Sequence, residues 1–371
     1  MKNRPARATS QVLMLGSLLL CEPAMAAGNG PQIKREALRG DGPFEWSRDG
    51  NYFIYRSDHP LESKPEGIAL RKAIVRDIRT GHEQVFEIGI VHDGDPNFQI
   101  SQLHPEHAAE ILSHLDDIRK EKPTIGTQAA YAEWQKQHPA IPCQPQRSSP
   151  DRQTVAQLSI AGAQGTQLGS RWVGPRLQFL DSNWQSTKDR PNVSMYEAMV
   201  YLRSSAVISV SLLRKGMPGR AYRIDLIDEA GALKGEVALC WAPDSRRVAV
   251  LARHLGHATR VTEGAEETLI TWLPVSGPLI RIRGPRTRMS EIARQVASAL
   301  DQSALPAVGE SVAWADTAMP AELRPRMVRV GSVAAAAGAA RALAAALGSQ
   351  EPTGLLRDNS TYDLLVEAGE P

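Results

Sequence analysis

Phe44-Glu45-Trp46-Ser47-Arg48-Asp49-Gly50-Asn51-Tyr52-Phe53-Ile54-Tyr55-Arg56 sets two β-prone runs on either side of a Ser-x-Asp-Gly turn. Aspartate can bond forward to the backbone, glycine accepts the left-handed conformation of a tight turn, and the aromatic run fits a pleated strand. The stretch therefore predicts a β-hairpin. Two further stretches repeat its turn: Ser149-Pro150-Asp151-Arg152-Gln153-Thr154-Val155-Ala156, and Trp241-Ala242-Pro243-Asp244-Ser245-Arg246-Arg247-Val248-Ala249-Val250. In both, proline presets φ at the second turn position. The third copy also repeats the tryptophan, Trp241 standing where Trp46 stands in the first. The repeat-motif residues are thus Trp46, Ser47, Asp49, Gly50, Ser149, Pro150, Asp151, Trp241, Pro243 and Asp244, with Trp46 and Trp241 expected in the cores of separate four-stranded sheets.

The Trp-Ser-Pro-Asp-Gly pattern followed by a short hydrophobic strand resembles the repeat of TolB-like and WD-repeat-like β-propellers. Residues 73–81 and 83–86 resemble the next two strands of such a blade, joined at an Asp-x-x-Thr-Gly turn. The resemblance implies propeller-type antiparallel sheets over residues 41–276 and a role in recognising another envelope protein. The copies begin 102 and 93 residues apart, at Ser47, Ser149 and Ala242, whereas blades repeat about every 40 to 50 residues. An incomplete or distorted propeller, or an open sandwich of the same hairpins, is the expectation. Strands are also expected at 171–179, 195–202, 206–213, 222–227 and 268–275. A helical insertion is expected at about 105–137, where Ile111, Leu112, Leu115 and Ile118 recur at helical spacing.

From residue 277 the texture changes to Ala-rich helical stretches without lysine. Leu279-Ile280-Arg281-Ile282 and Met327-Val328-Arg329-Val330 predict strands. Helices follow at 290–301, capped by Ser290, and at about 338–347, with a terminal strand at 362–367. Two βα units in a C-terminal α/β domain at 277–371 are the expectation, docked through Leu279, Ile280 and Trp314. The strings faintly resemble peptidoglycan-binding SPOR domains and the C-terminal module of LytR-type proteins, which implies cell-wall glycan binding as an alternative function.

Lys2, Arg4 and Arg7 precede an apolar run over residues 12–20, and Ala24-Met25-Ala26 supplies a cleavage signature, so residues 1–26 predict a signal peptide and a periplasmic or secreted chain. Cys21 offers a lipoprotein alternative, weakened by Leu20 before it. Residues 27–40 read as a linker. No later run is long enough to span a bilayer as a helix. Cleavage leaves Cys143 and Cys240, a possible disulfide in an oxidising compartment, or two buried small hydrophobes.

The chain after residue 26 balances 40 basic against 40 acidic side chains, which argues against nucleic acid as a partner. The sequence has no Gly-x-Ser-x-Gly, no His-Glu-x-x-His and no phosphate-binding glycine motif. His104, His107 and His114, with Glu106 and Glu110, are the best metal candidates, and solvated helix histidines explain them better. Asp93-Gly94-Asp95-Pro96-Asn97 reads as a turn rather than a calcium loop. No catalytic residue, cofactor or metal is assigned. The expectation is a non-catalytic recognition or scaffolding protein of the cell envelope. An envelope enzyme with an unrecognised hydrolytic or metal site is the remaining alternative.

Overall fold

The computed structural model describes residues 32–33, 38–61, 67–92, 95, 98–121, 125–161, 166–168, 171–173, 206–216, 219–226, 233–255, 266–314, 328–349, 356 and 362–369. In chain order these form β1 (Gln32–Ile33), β2 (Leu38–Ser47), β3 (Tyr52–Pro60), β4 (Ile68–Asp77), β5 (Glu83–His92), α1 (Pro105–Glu121), α2 (Gln128–Gln137) and β6 (Ala140–Pro142). Next come β7 (Thr154–Ala161), β8 (Thr166–Leu168), β9 (Arg171–Val173), β10 (Ala206–Arg214), β11 (Arg220–Leu226), β12 (Leu233–Trp241), β13 (Arg247–Leu255) and β14 (Glu266–Pro274). The last elements are β15 (Leu279–Gly284), α3 (Met289–Gln302), β16 (Val308–Ala313), β17 (Val328–Ser332), α4 (Ala337–Ala346) and β18 (Leu364–Ala368).

The structure is mostly β, built from several largely antiparallel sheets. A ten-stranded sheet runs β5-β4-β3-β2-β14-β13-β12-β9-β8, with β6 also on β2. Strand β2 makes this possible by changing partners along its length. Leu38, Arg39 and Gly40 pair with β14, and after a register shift between Asp41 and Glu45 the strand continues beside β3 and β6. A second sheet runs β1-β11-β10-β7.

Four expectations are corrected here. No sheet among the described residues closes into a propeller or barrel, because β2 fuses the first and third repeats edge to edge instead of leaving each as a separate blade. Trp46 and Trp241 consequently share one sheet. The strand at 222–227, expected to frame the third repeat, pairs with β10 and β1 instead. The stretch read as a linker also supplies β1 and the start of β2. Of the strand expected at 171–179 only Arg171–Val173 is described, as β9, and the one expected at 195–202 lies outside the described residues.

The three turns share one geometry. In the first, Ser47 Oγ donates to Asp49 Oδ1 at 2.6 Å and accepts from Tyr52 N–H at 2.8 Å. In the second, Ser149 Oγ donates to Asp151 Oδ1 at 2.5 Å and accepts from Thr154 N–H at 3.0 Å. The residue after each aspartate takes a left-handed φ: 70° at Gly50, 57° at Arg152 and 60° at Ser245. The turns converge, since Asp151 N–H donates to Ser245 Oγ at 3.0 Å and Arg247 reaches Gly50 O at 3.0 Å.

Residues 140–148 run between the repeats and stitch them together. They pair with β2 through β6 and with β12 through Pro145 and Cys240. Trp46 Nε1 donates to Cys240 O at 3.3 Å, and Trp241 Nε1 to Gln146 O at 2.9 Å. Cys143 and Cys240 form a disulfide here, with Cα atoms 5.6 Å apart. Around it lies the main core, which includes Trp46, Phe53, Tyr222, Trp241 and Trp272.

Strands β16-β15-β18-β17 form a third sheet, β15 running parallel to β16 and β18 while β17 is antiparallel to β18. Helices α3 and α4 cover it with Ile292, Val296, Leu300 and Leu343. The cap expectation is corrected: α3 begins at Met289 after a 3₁₀ turn at Arg286–Arg288, so Ser290 lies within the helix and is exposed. Of the three residues expected to dock this part, Leu279 joins the main core with Val308 and Tyr362. Ile280 faces the helices instead. Trp314 donates to Ala368 O within the C-terminal sheet.

The disulfide joins positions 97 residues apart, and closing a loop of that order stabilises a fold by about 2–5 kcal/mol. The Cys143→Ala/Cys240→Ala protein is expected to lose stability in that range in a urea titration. A midpoint equal to that of the parent would contradict a stabilising bond.

Candidate functional site

The turn between β4 and β5 carries the sequence Asp77-Ile78-Arg79-Thr80-Gly81, and against it the C-terminal sheet packs at backbone distance. Gly309 N–H donates to Ile78 O at 2.8 Å, and Ser311 Oγ to Thr80 O at 2.8 Å. Only glycine fits on both sides. A Cβ on Gly81 would lie 2.6 Å from Gly309 O, and one on Gly309 would lie 2.2 Å from Arg79 O. Arg79 closes the joint, pairing with Asp77 at 2.7 Å and with Asp301 at the end of α3 at 2.5 Å. Burial works against its charge, and the two carboxylates outweigh burial, so its guanidinium is held more firmly protonated than usual.

This docking leaves a cleft of about 890 Å³ between the β4–β5 hairpin and α3, with Ile125 and Gly126 at one side. Along α3 the wall is Ser290, Ala293, Arg294 and Ala297, a single face because residues three and four apart are neighbours on a helix, and Arg286 extends it from the preceding 3₁₀ turn. Arg286 and Arg294 are exposed and form no ion pair among the described residues. The opposite wall carries Lys72, Arg79, His82 and the carboxylates Asp77 and Glu83, with Val75, Val85 and Phe86 supplying apolar surface.

Glu83 is already engaged, accepting from Tyr55 OH at 2.9 Å and Arg76 at 2.8 Å. Burial, and then Glu83, push the Tyr55 phenol up. Burial lowers the His82 imidazole below its ordinary value, outweighing Asp77 and Glu83, which pull the other way. Among the described residues no hydroxyl or thiol is hydrogen-bonded to that imidazole. The cleft can thus hold an anionic group by charge.

The repeat residues lie beside this cleft rather than in it. Trp46, Ser47, Gly50, Ser149 and Trp241 are buried structural groups, and Pro150 sits exposed at its turn. Tyr52, at the end of the first turn, reaches the cleft and packs under Arg79 at 5.6 Å. In the third turn Ala242 replaces serine, and Asp244 instead accepts from Arg246 N–H at 2.9 Å and from Arg247 at 3.2 Å. Burial raises the Asp244 carboxyl and lowers the Arg247 guanidinium.

His104 and His107 stand 6.2 Å apart between ring centres, and His114 meets Glu110 at 4.0 Å. No group of three or more metal-ligating side chains occurs among the described residues. Of the 93–97 stretch only Asp95 is described, its N–H donating to His92 O. Arg79, Arg286, Arg294 and Arg247 were missed in the sequence. Arg79 lies more than two hundred positions before Arg286 and Arg294, and Arg247 reads in the sequence as the start of a strand.

Burial raises the Asp49 and Asp151 carboxyls, but their serine hydroxyls and the N–H groups of Asn51 and Gln153 outweigh it and leave both lowered. A lowered folded pKa stabilises above the unfolded value, about 3.9, and that contribution is lost as pH falls through the folded pKa. Asp49→Asn/Asp151→Asn is therefore expected to flatten the fall in stability below about pH 4. An unchanged acid limb in denaturation curves would contradict this.

No family model, curated protein or solved structure matches the chain.

Proposed function

We propose that the chain is an exported, non-catalytic recognition protein of the cell envelope, and that it binds another envelope protein through the cleft between the β4–β5 hairpin and α3. The observation that carries this reading is the cleft itself: a roomy, partly apolar groove whose wall offers Arg286 and Arg294, which are exposed and form no ion pair among the described residues. Such a site grips an anionic partner by charge and shape.

Export is supported by Lys2, Arg4 and Arg7 ahead of an apolar run and Ala24-Met25-Ala26. The Cys143–Cys240 bond fits the same reading, because disulfides persist in oxidising compartments. Among the described residues no helix is long and apolar enough to cross a membrane. The shared geometry of the three turns supports kinship with TolB-like repeats, here in open sheets. The C-terminal sheet with α3 and α4 serves on this reading as an α/β unit that supplies one wall of the site.

Photo-crosslinking in cells tests the proposal. A crosslinking amino acid replacing Ser290, inside the cleft, is expected to trap an envelope protein. The same residue replacing Ser298, exposed on α3 outside the cleft, is expected to trap none. No adduct from position 290, or turnover of an envelope substrate that His82→Ala abolishes, would overturn the recognition reading.

A further inference from the structure

Strand β5 is the outermost strand of the ten-stranded sheet, and the chain itself shows how a further segment seats on it. Gly126 N–H donates to Val85 O and Glu87 N–H to Gly126 O, both at 2.8 Å, in a one-residue parallel bridge opposite Phe86. In an antiparallel pair a residue's N–H and C=O point to the same side, so Val85 also directs its N–H away from β4. Glu83, Gln84 and Val85 continue that edge into the cleft, where it faces α3.

The opposite wall has a matching repeat. Arg286, Ser290 and Arg294 stand four residues apart, the first in the 3₁₀ turn that leads into α3. From Arg286 to Arg294 the chain rises about 12 to 14 Å at helical and 3₁₀ pitch. Alternate side chains of an extended strand share one face, and the first and fifth lie about 13 Å apart. On a strand lying along β5, acidic side chains at the first and fifth positions therefore match the spacing of the two arginines, and a polar one at the third matches Ser290.

Building on the recognition reading above, we infer that the ligand is an extended acidic peptide segment of the partner protein. It adds to the β5 edge and carries carboxylates four residues apart that pair with Arg286 and Arg294. The main chain supplies affinity through edge hydrogen bonds, as in other strand-addition complexes. The arginines supply register, since a slip of one residue turns both carboxylates to the other face. Val75 and Phe86 on one face of the sheet and Val85 on the other give the peptide apolar surface.

The test is fluorescence anisotropy with the full mature chain and a labelled pentapeptide. The probe has glutamates at positions one and five, glutamine at three and valine between. Saturable binding is expected, weakened about five- to tenfold by Arg286→Gln/Arg294→Gln and comparably by glutamine in place of both glutamates. Moving one glutamate to position two should weaken binding similarly, and raising salt should weaken the parent complex. Equal binding of the neutral or shifted peptide, or of the arginine-free protein, overturns the acidic register while leaving recognition at the cleft intact. So does binding of peptidoglycan strands that the arginine substitutions abolish while no peptide binds. Failure of every peptide together with no adduct from position 290 overturns both readings.

Discussion

The Arg247 guanidinium is the constraint on which the rest of the structure depends. Its side chain is 4% exposed, and a charge so buried is tolerated only when its donors are satisfied. Its Nε reaches Ala307 O at 2.9 Å, and its Nη1 reaches Gly50 O at 3.0 Å and Asp244 at 3.2 Å. Those acceptors belong to the first turn, the third turn and the approach to β16. Satisfying one buried cation therefore fixes three parts of the chain relative to one another. The second turn joins through Ser245, which accepts from Asp151 N–H. The third repeat's departure from the other two is what permits this arrangement. With alanine at position 242 there is no hydroxyl to occupy the aspartate, and Asp244 turns to Arg247 instead.

The candidate site follows from that joint. Holding Ala307 places β16, and β16 places Gly309 against the turn after β4, where two glycines allow backbone contact. Helix α3 leads into this strand and is held at its far end by Asp301 on Arg79. Arg220 adds a second anchor, pairing with Asp363 at 2.7 Å and bonding Gly277 O. The width of the cleft is thus set by buried and half-buried polar contacts, and its exposed arginines are left over for a ligand. Arg286 and Arg294 take no part in the contacts of Arg247, so they can be changed without disturbing the hub.

Local chemistry made the turns legible in the sequence. Ser-x-Asp followed by a left-handed residue defines a hydrogen-bonded turn whatever surrounds it, and Ile111 and Leu115 on α1, or Ile292, Val296 and Leu300 on α3, mark buried faces by spacing alone. Leu112, counted on the same apolar face, is 49% exposed because α1 buries only a narrow stripe against Leu61, Ile68 and Leu70. Sheet order was not legible. The pairing of Leu38 with Ile270 joins residues more than two hundred positions apart, and nothing in either strand names its partner. The cleft was hidden for the same reason, since His82 and Arg294 become neighbours only when two sheets dock.

Native-state hydrogen exchange of the Arg247→Met protein tests the hub most directly. Three amides report on separate elements: Gly50 N–H on Ser47 O, Arg152 N–H on Ser149 O, and Gly309 N–H on Ile78 O. Removing one partner of a buried charged pair costs about 3–5 kcal/mol, so exchange that proceeds by shared opening should accelerate about a hundredfold or more at all three sites. The account predicts that they accelerate together. Acceleration at Gly50 alone, with Arg152 and Gly309 as protected as in the parent, would contradict it.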